Sequence, residues 1–95
     1  MELQDLRREI DSIDDELLAL FIRRMGVAAQ IAVYKKNKNL PVFVPVREQE
    51  KLADIAQKAG NDMADSACAL YSTIFELSRA HQSKIVGTPD NEGAE

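Results

Sequence analysis

The first part of the chain carries one continuous helical pattern, and the length of that pattern limits how the chain can fold. Apolar residues recur at alternating steps of three and four, at Leu3, Leu6, Ile10, Ile13, Leu17, Leu20, Val27, Ile31 and Tyr34. This a/d spacing is typical of a helix that packs against other helices. The pattern predicts a first helix from about Leu3 to about Lys36, in which Arg24 occupies the one a/d position that is not apolar.

Turn-forming residues separate this helix from a second one. Asn39 and Pro41 predict the end of the first helix, because asparagine favours turns and proline cannot continue a helix. Pro45 suits the first turn of a new helix, which we predict over Pro45–Ala59. Gly60 is suited to the position just after the end of that helix.

A third helix is predicted from about Met63 to about Ile85, with Asn61 or Asp62 as its N-cap. No run of β-branched residues alternates with period two, so the sequence predicts an all-α fold of three helices per chain. Residues 1–86 form one predicted domain, and the polar residues 87–95 are expected to be a disordered tail or linker.

Composition excludes several classes of protein. The chain has 95 residues and a net charge of −4, so there is no general basic surface for nucleic acid and any anion site is local. Its single cysteine, Cys68, excludes an internal disulfide. No signal peptide is visible, and the longest apolar run, Leu17–Ile22, is short for a membrane span. We therefore expect a cytoplasmic protein without a membrane partner.

The length of the first helix predicts a partner chain. A helix of about 34 residues is roughly 50 Å long, whereas a compact chain of this size has a radius of gyration of only about 13 Å. Two shorter helices cannot cover the whole apolar seam of such a helix. The sequence therefore predicts a homodimer, intertwined or side by side, with the long helices paired.

Polar residues interrupt the apolar faces at related positions. Arg24 lies on the seam, where a guanidinium needs an anion, a salt bridge within the chain or a path to the surface. Lys35 lies eleven residues further on, about 20° around the helix and hence on the same face. Other polar residues lie at the start of the second helix and on one face of the third, namely Arg47–Glu48, Ser78 and Gln82. Together they indicate a local site for an anionic ligand.

This arrangement resembles the all-helical class of chorismate mutases over about residues 3–85. The resemblance depends on LRREIDSIDDELLALFIRR, Lys35, the Arg47–Glu48 pair and ELSRAHQ at residues 76–82. Members of that family bind chorismate, which carries two carboxylates, inside a helical dimer and convert it to prephenate by an intramolecular Claisen rearrangement. The resemblance implies an isomerase of phenylalanine and tyrosine biosynthesis that uses no cofactor and no metal.

The same resemblance implies which residues hold the substrate carboxylates. Arg24 and Arg7 of the other chain would grip them, with help from Arg47 and support from Ser78. Arginine suits these positions because its guanidinium pairs with a carboxylate through two parallel hydrogen bonds. Arg7 and Lys35 are about 42 Å apart on one straight helix, so both can serve one site only if Arg7 comes from the partner chain.

The remaining implied roles concern the reacting bond and the ring hydroxyl. Lys35 and Gln82 would donate to the ether oxygen, where negative charge grows as the C–O bond breaks. Glu48 would accept a hydrogen bond from the ring hydroxyl. Some family members have an aspartate four residues before this glutamate, where the present chain has Val44. The catalytic residues implied are therefore Lys35, Gln82, Arg24 and Glu48.

Two other functions remain open at this point. The same fold supports isochorismate pyruvate-lyase activity, and Val44 is compatible with it, although the retained Glu48 favours a mutase. A non-catalytic dimerisation or ligand-sensing module is the other alternative, and the retained polar set argues against it, because leucine at position 24 would be more stabilising in a scaffold. The chain could be a complete enzyme or one domain of a bifunctional enzyme with a dehydratase or dehydrogenase.

Overall fold

Three α-helices make up the part of the chain that the computed structural model describes, residues 2–87. They are α1 (Leu3–Lys38), α2 (Pro45–Ala59) and α3 (Ala64–Val86). Residues 2–87 contain no β-strand, which confirms the predicted all-α fold. The predicted tail, apart from Gly87, lies outside the described residues.

The helix ends differ from the sequence prediction by one or two residues. Helix α1 continues past Lys36 and ends where Asn39 adopts the left-handed conformation, with φ 56° and ψ 41°. Asparagine tolerates this conformation better than most residues. Helix α3 begins one residue late, with Met63 as its N-cap and no side-chain cap. The expected capping by Asn61 or Asp62 is therefore wrong, because both residues belong to a turn that the Met63 N–H closes on the Gly60 carbonyl at 3.2 Å.

Helix α3 packs against both α1 and α2 and so organises the protomer. The apolar core of residues 2–87 is small, with five buried apolar residues: Ala28, Ala32, Val42, Ile55 and Phe75. Two of these are alanines on consecutive turns of α1, which lets α3 approach the α1 backbone closely. The two core residues of α1 lie in the C-terminal half of that helix, so this half is the part that α3 and the connector between α1 and α2 cover.

The N-terminal half of α1 extends beyond this core. All residues from 2 to 20 are exposed, including Leu6 and Leu17 of the a/d seam. The protomer measures 54 × 26 × 17 Å and its radius of gyration is 16.3 Å, larger than the roughly 13 Å of a compact chain of this length. The predicted overshoot of the first helix is confirmed.

An open, largely apolar groove runs between the exposed part of α1 and the middle of α3. Its volume is about 480 Å³, and its lining residues are Asp14, Asp15, Leu17, Leu18, Phe21, Leu70, Thr73, Ile74 and Leu77. We call this surface the apolar groove. Large apolar surfaces of this kind mark binding sites for another protein surface or for a membrane.

Helix α1 also contains an 18-residue window with a mean hydropathy of 1.5, of which 11% is buried. By length and composition, this window could cross a membrane. The expectation that the short apolar run Leu17–Ile22 excludes a membrane span is therefore wrong. Apolar residues on both sides of Arg23 and Arg24 keep the mean hydropathy of the window high in spite of the two charges. The core helix of a soluble protein has the same composition, so one such helix is weak support for a span.

Candidate active site

A second cavity lies where the C-terminal half of α1, the connector, the start of α2 and the end of α3 meet. Its volume is about 340 Å³, and its lining residues are Ile31, Lys35, Val42, Val44, Arg47, Glu48, Arg79 and Gln82. We call it the polar cavity. It brings three cationic side chains, one carboxylate and one amide to a single opening with an apolar wall. Such a mixture of apolar walls and a few convergent polar groups is typical of a small-molecule site.

Lys35 lies on the α1 side of the polar cavity and is half-buried. Its Nζ donates a hydrogen bond to the Val42 carbonyl oxygen at 2.8 Å, which ties the connector to α1. Burial lowers the pKa of Lys35 from its ordinary value of 10.5, and the nearby negative charge of Glu48 opposes that shift. An ammonium group has three donors, so Lys35 keeps donors for a ligand after its bond to Val42.

Glu48 lies in the first turn of α2, where the helix dipole favours a carboxylate. Both of its carboxylate oxygens accept from Nη1 of Arg79 on α3, at 2.7 and 2.8 Å. The side chains of Arg79 and Glu48 are only 21% and 23% exposed. The Arg79 guanidinium also lies over the Phe43 ring, 4.6 Å from its centre. A stacked, paired arginine thus holds the Glu48 carboxylate in place.

Gln82 is buried on α3 and connects that helix to α1. Its Nε2 donates to the Ala28 carbonyl oxygen at 2.9 Å. A primary amide has two N–H donors and one acceptor oxygen, so this bond fixes the side-chain orientation and leaves a second donor. The amide can therefore present one N–H to a ligand in the polar cavity.

Four of the seven sequence-predicted site residues line the polar cavity, namely Lys35, Arg47, Glu48 and Gln82. Arg24 and Ser78 are half-buried but do not line it. The Arg24 guanidinium lies 5.7 Å from the centre of the Phe75 ring, at a shallow depression of about 280 Å³ shared with Leu20, Arg23 and Val27. The aromatic ring is thus the Arg24 contact that the structure shows.

Arg7 lies far from the polar cavity of its own chain. It is exposed on the N-terminal half of α1, and α1 is continuous from Leu3 to Lys38. The 28-residue offset from Lys35 corresponds to about 42 Å along a helix. Arg7 therefore cannot reach the polar cavity within one protomer.

Arg79 is the site residue that the sequence reasoning missed. The sequence does contain a signal for it, which is helical spacing. Arg79 precedes Gln82 by three residues and follows Phe75 by four. Residues three and four apart share one face of a helix. The segment ELSRAHQ therefore contains three polar residues for the site, Ser78, Arg79 and Gln82.

Within residues 2–87, no group of three or more His, Cys, Asp or Glu side chains is placed to hold a metal ion. The polar groups of the cavity are instead suited to an anion that also carries a hydrogen-bond donor. Cations and the amide would bind the anionic groups, and Glu48 would accept from the donor.

Comparison with known proteins assigns the family. The family model described as chorismate mutase type II matches residues 6–83. A bifunctional chorismate mutase/prephenate dehydratase from Aquifex aeolicus is 49% identical over 49 residues, which are 52% of this chain and 14% of that protein. A chorismate mutase from Methanocaldococcus jannaschii is 22% identical over 94 residues, covering 96% of this chain and 94% of that protein.

A further relative, from Streptomyces venezuelae, is named 4-amino-4-deoxychorismate mutase and is 41% identical over 46 residues, covering 48% of this chain and 45% of that protein. The chain thus spans only about a seventh of the bifunctional relative and nearly all of the archaeal one. No solved structure matches the chain. The match over residues 6–83 takes in α2, most of α1 and α3 and every residue that lines the polar cavity, and the chain belongs to the type II chorismate mutase family.

Proposed function

We propose that the chain is an isomerase that converts chorismate to prephenate in phenylalanine and tyrosine biosynthesis. The observation that carries this proposal is the polar cavity, where Lys35 of α1, Glu48 of α2 and Gln82 of α3 line one opening in a chain of the type II family. We further propose that the protein acts in the cytoplasm.

The proposed mechanism needs no covalent intermediate and no acid–base step. The rearrangement is unimolecular, so the protein can accelerate it by binding the folded conformer and by stabilising the charge that develops as the ether C–O bond breaks. Lys35 and Gln82 supply the donors for the ether oxygen, and each retains a free N–H after its contact within the chain. The loss of one such donor typically lowers kcat by about 10²–10³.

The two substrate carboxylates require additional cations. Arg47 already lines the polar cavity, and we propose that Arg24, with Arg7 of the partner subunit and with support from Ser78, completes the binding site. For Arg24 this requires a move from its stack on Phe75 toward the ligand. Such a move is consistent with the general behaviour of catalytic contacts, which often tighten only when the substrate binds.

We propose a homodimer in which each active site includes Arg7 of the partner. Two observations support it. The exposed a/d seam and the apolar groove leave a large apolar surface on α1 and α3, and Arg7 cannot reach the cavity of its own chain. One symmetric association would cover the apolar surface and supply the missing cation.

A second candidate substrate is 4-amino-4-deoxychorismate, in which an amine replaces the ring hydroxyl. The relative from Streptomyces venezuelae is named as its mutase. Isochorismate pyruvate-lyase activity is the other alternative, and it is compatible with Val44, which lies in the polar cavity where some family members have a carboxylate. The substrate test therefore includes all three compounds.

The test is to incubate the purified protein with chorismate, isochorismate and 4-amino-4-deoxychorismate, and to identify the products. Prephenate from chorismate is the expected result. Release of pyruvate from isochorismate would indicate the lyase, and turnover of none of the three would favour a non-catalytic module.

The variant Arg24→Ala tests the proposed role of Arg24 in binding a substrate carboxylate. It should lower kcat/KM for chorismate by at least about 30-fold, since truncating one partner of a buried charge pair costs roughly 2 kcal/mol or more. The variant should remain folded and dimeric. The control is Lys58→Ala, which removes an exposed ion pair with Asp54 on α2, away from the polar cavity. Near-normal turnover by Arg24→Ala would contradict the assignment of that residue.

A further inference from the structure

We infer that Arg79 makes the active site select a neutral hydroxyl over an ammonium group at the substrate position that Glu48 contacts. This inference rests on the proposed function, because it assumes that Glu48 contacts the ring substituent. It goes further by assigning a specificity role to a residue outside the expected set. The three observations behind it are the charge of the polar cavity, the pairing of Glu48 and the stacking of Arg79.

The polar cavity carries a positive excess before any ligand binds. Lys35, Arg47 and Arg79 line it, and Glu48 is the one acidic residue among its lining residues. This excess suits a ligand with two carboxylates. A ligand that also carried an ammonium group beside Glu48 would bring a further positive charge close to these cations, and like charges at short range oppose binding.

Arg79 neutralises the carboxylate that such an ammonium group would otherwise use. Nη1 of Arg79 is 2.7 and 2.8 Å from the two oxygens of Glu48. Because both side chains are more than three-quarters buried, solvent screens the pair only partly. An ammonium group beside Glu48 would therefore gain little attraction from the carboxylate, whose charge Arg79 compensates, and the nearby guanidinium would repel it.

A hydroxyl group meets no such barrier. A carboxylate has about four lone-pair sites, and Arg79 occupies one on each oxygen, so Glu48 can still accept from a neutral donor. A hydroxyl carries no net charge, and the surrounding cations do not repel it. The arrangement thus favours chorismate over its 4-amino analogue.

Two contacts position Arg79 behind Glu48. Its guanidinium lies 4.6 Å from the centre of the Phe43 ring while it pairs with Glu48. Displacement would give up both contacts at once. These contacts therefore favour the position in which the Arg79 charge compensates that of Glu48.

The experiment compares kcat/KM for chorismate and for 4-amino-4-deoxychorismate in the unmodified protein, in Arg79→Gln and in Arg79→Lys. The unmodified protein should prefer chorismate. Arg79→Gln should reduce that preference by about tenfold or more, given the strength of a charge–charge interaction across several ångströms at partial burial. Arg79→Lys restores the charge and should recover most of the preference, while Lys58→Gln, at an exposed ion pair, should leave it unchanged.

The outcomes separate the two proposals. Turnover of neither substrate by the unmodified protein would overturn the proposed function and this inference with it. An equal loss of kcat/KM for both substrates in Arg79→Gln would overturn the inference alone. A merely structural role of Arg79 predicts this result, because it lowers both values and leaves their ratio unchanged. Circular dichroism and size-exclusion chromatography check the fold of each variant. If Arg79→Gln does not fold, the unmodified protein still decides, since equal use of both substrates by it would refute the selectivity.

Discussion

Truncation of Leu17 to alanine should weaken the proposed dimer without changing the fold of the protomer. Leu17 lies on the a/d seam, lines the apolar groove and is 55% exposed in the protomer. Full burial of a leucine side chain contributes roughly 1.5–3 kcal/mol, so burial of the exposed half in an interface contributes about 1 kcal/mol. A two-fold interface contains the residue twice, which gives about 2 kcal/mol for the dimer.

That energy corresponds to a dissociation constant about 10–30 times larger for Leu17→Ala, since each 1.4 kcal/mol is a factor of about ten. The assay is sedimentation velocity over a dilution series, together with thermal unfolding at several protein concentrations. Gln57→Ala is the matched control, because it removes a side chain of similar size from the exposed surface of α2. A monomer at all concentrations in the unmodified protein, or an identical dissociation constant for Leu17→Ala and Gln57→Ala, would refute the reasoning.

Four further predictions concern Lys35 and Asn39. Lys35→Gln should stay folded, because glutamine can still donate to the Val42 carbonyl, but should lower kcat by about 10²–10³; steady-state kinetics that show a smaller loss than tenfold would exclude Lys35 as the main donor. Burial lowers the pKa of Lys35 below 10.5, so a pH–rate profile of the unmodified protein should fall, as pH rises, before 10.5. The unfolded state binds the Lys35 proton more tightly than the folded state does. The contribution of Lys35 to the free energy of unfolding should therefore rise with pH between its folded-state pKa and 10.5. If Lys35→Gln shows the same pH dependence of the free energy of unfolding, Lys35 is not its source. Asn39 has φ 56°, a conformation that glycine adopts easily and alanine does not. Asn39→Ala should therefore lower the free energy of unfolding by about 1 kcal/mol, while Asn39→Gly should preserve or raise it. Equal melting temperatures for both variants would show that the left-handed end of α1 contributes nothing to stability.

The helices could be predicted because their signals are local. The a/d seam, Pro45 and Gly60 each act within a few residues, and the predicted bounds of α2 agree with the structure. The start of α3 could not be predicted as well. Asparagine and aspartate are favoured N-cap residues, so Asn61 or Asp62 was the expected cap. In the structure both residues lie in the turn after Gly60, and the helix begins after Met63. Competition between a side-chain cap and a backbone turn depends on the whole loop.

The candidate site could be predicted only in part. Helical phase and the family resemblance together found Lys35, Glu48 and Gln82, which the structure brings to one cavity. They did not show that Arg79 binds Glu48, because the two residues are 31 positions apart and lie on different helices. They also did not predict that Arg24 lies over Phe75, because the two residues lie on different helices and far apart in the sequence.

The buried alanines of α1 set a distance on which the site depends. The Gln82 amide donates to the Ala28 carbonyl oxygen at 2.9 Å, beside two buried alanines whose small side chains allow the helices to approach closely. A bulkier residue at position 28 or 32 would push α3 outward and would pull Gln82 away from the cavity mouth. Substitutions at these two positions would therefore be tolerated as poorly as those of the polar residues, although neither alanine has a functional group to offer a ligand.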